Sequence, residues 1–452
     1  MKRIWASLPV GLFLLYVTGR SLAAAEPAAL RVGASAVNLQ ADDAMVIAGG
    51  IGPGKAQGQE GELRATAIVL AEGGTKVAIV SCDVLMITRD LLDPVAAEIE
   101  SRCGIPAAHV MVHATHTHHA PSTMRVHAYD RDEPFCREVQ QAIGKAVREA
   151  HDRLTEATFS FQHAQETTVG QNSRMLLADG TIYWVGPRDD VVGPTGPFDP
   201  DLPVLAFRDA GGKNLAVIFG HSTHTIGGLT PGVRSPAFYG MAAQRMEQEL
   251  GGTFCFLAGA SGSTHRLNVE AKEASQRIET AVRTALAEAN VQPQPTLAAS
   301  KRPFTFHVRS FDEQAEEQAV TAYCTKRIGA GAEGVIEVFR KMRKELAPQQ
   351  GQERTTWIQT IRIGDVVIVG VPAEFFTGLG VEIKRRSPFE NTFIAELSND
   401  WIGYLPDREA HKLGGYQVWT GFHSYAEPGT GERVVDAVVD MLQELQQEST
   451  RP

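Results

Sequence analysis

Basic charge is scarce in this 452-residue chain. Forty-three Lys and Arg stand against 53 Asp and Glu, a formal net charge of -10, and no basic stripe stands out. That balance argues against a nucleic-acid partner. Long apolar runs are scarce as well. The one candidate, from Ile4 to Gly19, is broken by Pro9 and Gly11 and falls short of the roughly 20 residues a membrane-spanning helix needs. Lys2 and Arg3 precede it and Ser21-Leu22-Ala23-Ala24-Ala25 follows, so residues 1–25 read as a secretory signal peptide cleaved near Ala25. No cysteine follows the run, which leaves a lipoprotein anchor without support. Residues 26–452 are therefore expected to be exported, periplasmic or secreted, with no transmembrane segment. Cysteine is sparse too: Cys82, Cys103, Cys136, Cys255 and Cys324, none in a C-x-x-C pair. The odd number leaves at least one unpaired. Cys82 and Cys255 sit in apolar runs and read as small core residues. Export permits a disulfide, and Cys103–Cys136 is the pair considered.

No repeat of about 20–50 residues is visible. What the chain does have is alternation of apolar β-type runs with amphipathic helical stretches, an α/β pattern. Strands are expected at Ala65–Leu70, Val77–Val80, His109–His113, Val204–Phe207, Leu215–Phe219, Thr253–Leu257, Val366–Val371 and Thr392–Leu397. Helices are expected at Arg89–Arg102, Cys136–Arg153, Tyr239–Leu250, Lys272–Ala289, Glu313–Ile328, Val335–Glu345, Phe376–Arg386 and Gly431–Gln447. Several of the strands are apolar throughout rather than alternating, which suits sheets buried on both faces. Val291–Thr296 and Gln349–Arg354 are the linker candidates, and one large domain or two packed lobes both fit the length.

The densest chemical signal is histidine. Six of the 14 histidines fall between His109 and His127, and Ala114-Thr115-His116-Thr117-His118-His119-Ala120-Pro121 follows an apolar strand. Neutral imidazole suits borderline transition metals. In an extended segment His116 and His118 point to one side, so they could share an ion. Other polar residues also sit just beyond strands. Leu215–Phe219 runs into Gly220-His221-Ser222-Thr223-His224, Val366–Val371 into Pro372-Ala373-Glu374, and Thr253–Leu257 into Ala258-Gly259-Ala260-Ser261-Gly262-Ser263-Thr264-His265. Ligands of open α/β sheets bind at that edge. Two His and one Glu form a familiar catalytic zinc shell with a position left open. Taken singly, Glu374 could instead be a helix N-terminal acid, and His221 and His224 could be strand-end hydrogen-bonding groups.

These segments resemble the neutral/alkaline, non-lysosomal ceramidase family. Residues 114–121 are similar to its A-T-H-T-H-S-G-P motif, and Cys82-Asp83-Val84 to S-x-D-L. Gly170-Gln171-Asn172-Ser173-Arg174 resembles G-x-N-R-R, and Ser222-Thr223-His224-Thr225 resembles A-C-H-P-T. Pro372-Ala373-Glu374-Phe375 is similar to P-x-E-F, Asn399-Asp400-Trp401-Ile402-Gly403-Tyr404 to N-x-Y-x-x-Y, and Gly414-Gly415-Tyr416 to a G-G-Y segment. The order holds over roughly residues 30–448. The resemblance implies a large catalytic domain and a zinc site. It maps His116, His224, Glu374 and Tyr404 onto the metal ligands, His118 and Arg174 onto substrate-polarising positions, and Tyr416 onto the substrate side. It implies hydrolysis of an N-acyl amide of a small molecule or lipid, with zinc activating water and His118 or Arg174 steadying the oxyanion.

The chain also departs from the family. Where the family has G-D-V-S-P-N, this sequence has Gly262-Ser263-Thr264-His265-Arg266-Leu267. The acid becomes Ser263 and the family's active-site serine position falls on His265. Ser263 and Thr264 could act as surrogates, or His265 could be the general acid/base. His119 replaces a small residue. At this length the family's C-terminal immunoglobulin-like domain is not expected. Three readings follow: a zinc amidohydrolase, a related hydrolase acting on an ester, or a non-catalytic exported binding protein that keeps the fold. His109, His113 and His127 read as structural. The sequence does not speak to the oligomeric state.

Overall fold

In each third of the chain, strands that are apolar throughout alternate their side chains between two buried surfaces. The computed structural model describes residues 29–293 and 295–450, with Met1 and Lys2. Apart from those two residues, the expected signal peptide lies outside the described residues.

The first unit contains β1 (Arg31–Asn38), β2 (Arg64–Glu72), β3 (Thr75–Cys82), α1 (Arg89–Cys103), β4 (Val110–Ala114) and α2 (Glu133–Asp152). The second contains β5 (Thr158–Gln165), β6 (Asp201–Arg208), β7 (Asn214–His221), α3 (Ala237–Leu250), β8 (Thr253–Ala258) and α4 (Ala271–Glu288). The third contains β9 (Leu297–His307), α5 (Glu313–Arg327), α6 (Ala332–Leu346), β10 (Glu353–Ile363), β11 (Val366–Gly370), α7 (Thr377–Arg386), β12 (Asn391–Ala395) and α8 (Thr430–Thr450). The sheets run in the order 4-3-2-1, 8-7-6-5 and 12-11-10-9, with two-residue edge strands added to the first two. In each, two antiparallel pairings precede a parallel crossover through one helix. One connectivity is thus used three times. The repeat is much longer than 20–50 residues and escapes a scan at that period.

Period-two alternation assembles the units. Ile68, Leu70, Ile79, Phe207, Ile218, Leu257, Ile361 and Ile368 meet in one central core shared by all three sheets. The alternate residues face outward onto helices: Ala67, Val69 and Val80 onto α1 and α2, Val204, Val217 and Phe256 onto α3 and α4, Val367 and Val369 onto α7 and α8. The shared core makes this one domain of mixed sheets flanked by helices, not two lobes. Both linker candidates are tied in. Gln292 donates its N–H to Phe159 and Thr296 accepts from Gly364, while Gln349–Arg354 leads directly into β10.

All the expected strands and helices are present, with ends moved by a few residues. Of the long strands, sequence reading missed β1, β5, β9 and β10. Each carries polar residues or small side chains that break an apolar run, and β9 holds Pro303, which its edge position tolerates. The Cys103–Cys136 disulfide is not formed. All five cysteines are free and buried, and the Cys136 thiol donates instead to the Thr123 carbonyl.

The topology fixes where a site can form. In each unit β2, β6 or β10 runs antiparallel to the strand after it and so begins on the side where that strand ends, as Ala65 faces Cys82 and Gln359 faces Gly370. The long connections 39–63, 166–200 and 308–352 therefore lie at the end where the parallel strands finish. No helix among the described residues is long and apolar enough to cross a membrane.

Candidate metal centre

Each of the three units sends a chelating side chain past the end of a strand into one buried space. His116 lies two residues beyond β4 in a left-handed conformation, φ 64°, unusual for a residue with a Cβ and costing on the order of 1–3 kcal/mol. The turn aims its ring inward. Its Nε2 stands 2.9 Å from Nε2 of His224, which follows β7. Glu374, beyond β11, places Oε1 3.4 Å from His116 Nε2 and 3.6 Å from His224 Nε2. Glu374 and Phe375 pair in parallel with Tyr404 and Leu405. That pairing brings the Tyr404 hydroxyl to 3.3 Å from His224 Nε2.

The tautomers are dictated from behind. His116 Nδ1 is 3.0 Å from the Leu85 carbonyl, His224 Nδ1 is 3.0 Å from the Ser261 carbonyl, and His118 Nδ1 is 3.2 Å from the Gly49 carbonyl. A carbonyl only accepts, so each Nδ1 carries a proton, and in the neutral ring each Nε2 is then a bare lone pair. Bare Nε2 atoms at 2.9 and 3.3 Å, the latter between His118 and His116, repel unless a proton or cation lies between them. Ligands about 2.0–2.1 Å from zinc in a tetrahedron stand roughly 3.3 Å apart, close to the spacings here. The donor set therefore fits a zinc ion. The ring nitrogens of His116, His118 and His224 all lie within 4.8 Å of one another. His116, His224, Glu374 and Tyr404 are buried, and His118 is the more exposed member.

Electrostatics follow the packing. Burial opposes charge on His116, but the hydrogen bond and charge of Glu374 outweigh it and raise its pKa. Burial would lift Glu374, and the two histidines outweigh that and hold it low. Burial, then the neighbouring His116, lowers His118 and His224. The Trp401 indole N–H donates to Glu374 Oε2 at 3.1 Å, fixing the carboxylate from its other side. Trp401 is also a wall of a cavity of about 750 Å³ lined in addition by Met124, Leu346, Phe422 and Tyr425.

The remaining candidates separate by their contacts. His265 stacks on His224 at 4.3 Å and 14°. Ser263 Oγ accepts from Thr377 N–H and donates to Thr377 Oγ1, both 3.1 Å; it caps the start of α7. Thr264 Oγ1 donates to the Ser222 carbonyl at 2.7 Å. Arg174 is buried against Gln417 Oε1 and the Gly414 and Ala410 carbonyls at 2.9, 2.7 and 3.3 Å, and burial lowers its pKa to about 10. It fastens the loop that carries Tyr416. Tyr416 lies 5.9 Å from Tyr404, stacks on Trp184 at 4.5 Å and 3°, and has its hydroxyl 3.3 Å from His127 Nε2. His221 is spent on Tyr239 and the Glu166 carbonyl. His119 Nε2 accepts from Gly227 and Gly228 N–H, 3.0 Å each, so it shapes a loop.

Sequence reading missed Trp401, Trp184 and Glu396. Trp401 sits inside a segment already singled out, three residues before Tyr404. Trp184 and Glu396 carry no local signal, since the first lies in a long connection and the second in an apolar run.

No protein-family model matches the chain, and no curated protein matches it in sequence. Solved structures do. The neutral ceramidase from Pseudomonas aeruginosa superposes with a TM-score of 0.73 at 18% identity, covering 93% of this chain and 75% of that one. A ceramidase structure described as complexed with C2 gives 0.73 at 19% identity, covering 93% and 76%. The chain has the neutral ceramidase fold.

Proposed function

We propose that this protein is a zinc-dependent hydrolase that cleaves an N-acyl amide, of ceramide or of another small-molecule or lipid substrate. The observation that carries this reading is the convergence of His116 Nε2, His224 Nε2, Glu374 Oε1 and Tyr404 Oη, with both imidazoles locked in the ligand tautomer by backbone carbonyls. These four residues would hold the ion. When bound, zinc supplies acidification of a water and polarisation of the scissile carbonyl. His118, on the more exposed side, meets the substrate carbonyl. His265, stacked on His224 with no hydrogen bond fixing its ring among the described residues, is the proton carrier. Trp401 orients Glu374, while Arg174 holds the Tyr416 loop that borders the substrate space. Residues 26–452 make up this catalytic unit, exported after removal of residues 1–25.

The purified protein should carry about one zinc per chain and release fatty acid from an N-acyl substrate in a zinc-dependent manner. Absence of stoichiometric zinc, or turnover unaffected by His116→Ala, refutes the assignment.

One observation favours a second reading, a binding protein without turnover. The hydroxyls of Ser263 and Thr264 are both consumed by the scaffold, leaving His265 as the only candidate proton carrier in the altered loop. A screen of acyl amides and esters at saturating zinc separates the readings, because turnover of either class removes this one.

A further inference from the structure

Glu396 is the residue immediately after β12. Its carboxylate is fully buried and touches no Lys or Arg among the described residues. Such a group is expensive to bury, and a leucine would fill the volume more cheaply. What it does is visible in its partners. Oε2 accepts from Ser261 N–H at 3.0 Å and from Phe375 N–H at 2.9 Å, and Oε1 accepts from Ser261 Oγ. Its backbone N–H donates to the Ala258 carbonyl at 2.9 Å, and its carbonyl accepts from His113 Nδ1 at 2.6 Å.

Three of these partners lie next to, bond to or closely precede a candidate ligand. The Ser261 carbonyl takes the Nδ1 proton of His224. Phe375 follows Glu374 directly, and His113, in β4, precedes His116 by three residues. One residue thus holds a loop from every unit of the fold. We infer that Glu396 is the positioning residue of the metal centre, fixing the His224 tautomer through Ser261 and the depth of Glu374 through Phe375. This rests on the zinc reading above. Partners that orient metal ligands typically account for 10–100-fold in affinity.

The test is Zn²⁺ affinity of the apo protein, by competition with a chromogenic chelator, alongside apo-state thermal stability. Glu396→Ala should weaken Zn²⁺ binding by about 10–100-fold. Glu396→Gln keeps one oxygen for both N–H groups and should restore most of that loss. Ser261→Ala removes a single bond and should give a smaller loss in the same direction, which keeps the inference testable if Glu396→Ala does not fold. Ser81→Ala is the control. Its hydroxyl donates to the Phe256 carbonyl at 2.6 Å between two sheets, so it should lower stability and leave Zn²⁺ affinity unchanged. The inference is overturned if the folded Glu396 and Ser261 variants bind Zn²⁺ as the parent does, or if Ser81→Ala weakens it equally. A parent that binds no Zn²⁺ overturns the zinc reading itself.

Discussion

Replacing His113 with Phe should destabilise this fold in a pH-dependent way. His113 is the next-to-last residue of β4, and its ring bridges all three units. Nδ1 donates to the Glu396 carbonyl at 2.6 Å, and Nε2 accepts from Ala258 N–H at 2.9 Å. Phenylalanine keeps the ring volume and loses both bonds. One buried N–H and one buried carbonyl are left unpaired, at about 1–3 kcal/mol each. The expected loss near pH 7.5 is therefore about 2–6 kcal/mol, a large share of a typical domain's 5–15 kcal/mol.

The second part of the prediction concerns pH. Burial, the largest cause, lowers the His113 pKa from 6.5 to about 3. In the unfolded chain His113 takes up its proton as pH drops below about 6.5, while the folded chain refuses it until about 3. The His113 contribution is thus complete above 6.5 and falls away as pH decreases towards 3, with a slope approaching 1.4 kcal/mol per pH unit. The phenyl ring of the His113→Phe variant has no proton to take up. The stability gap between parent and variant should be widest at pH 7.5 and should narrow by roughly 1–2 kcal/mol at pH 5. Urea titrations of the metal-free proteins at pH 7.5, 6 and 5, followed by tryptophan fluorescence, measure the gap. Other buried histidines, such as His127 and His423, titrate alike in both proteins and cancel. A gap independent of pH, or a variant as stable as its parent, refutes the bridging role of His113.

Four further outcomes follow from the same contacts. His116→Ala should lose more than about 100-fold in zinc affinity, beyond the usual loss for a ligand-orienting partner, and activity with it; metal analysis and a fatty-acid release assay check both. Trp401→Phe removes the indole donor to Glu374 Oε2 and should weaken zinc about 10-fold, read by chelator competition. Ser263→Ala should cost about 1 kcal/mol of stability, as loss of a helix cap does, and leave kcat unchanged; a kcat collapse in a folded, zinc-loaded variant would restore a catalytic serine. His265→Ala should keep its zinc yet lower kcat by about 10²–10⁴-fold, the range for a general acid/base, and unchanged kcat would remove His265 from the mechanism.

Much of the architecture was legible because this fold buries strands on both faces. Runs such as Ala65–Leu70 and Val366–Val371 have no polar face to confuse the reading, and their helices have clear apolar stripes. The four missed strands are those whose residues serve several tasks at once, as in β9 with Lys301, Arg302 and Pro303 on a sheet edge. The candidate ligands stood out in the sequence for a related reason. A polar residue placed just beyond a buried strand is conspicuous, and His116, His224 and Glu374 lie within four residues of the ends of β4, β7 and β11. Their convergence was not legible. It depends on three sheets of equal connectivity meeting in one core, and nothing local in a strand states which other strand ends it will face.

The same geometry explains which residues the sequence could not rank. His113, His119 and His221 are chemically equivalent to His116 and His224, and they sit at similar places relative to strands. What separates them is the partner of Nε2. In His119 and His113 that nitrogen accepts backbone N–H groups, and in His221 it lies against a carbonyl. In His116 and His224 it faces another bare imidazole nitrogen. A backbone partner ends the chemistry of an imidazole, whereas an opposed lone pair calls for a cation. That distinction lies in tertiary contacts 55 to 145 residues apart in the chain, so it belongs to the fold and not to the motif. It also explains why one unit cannot be altered in isolation. Shifting either of the first two strand ends would separate His116 Nε2 from His224 Nε2, and shifting the third would draw Glu374 Oε1 away from both.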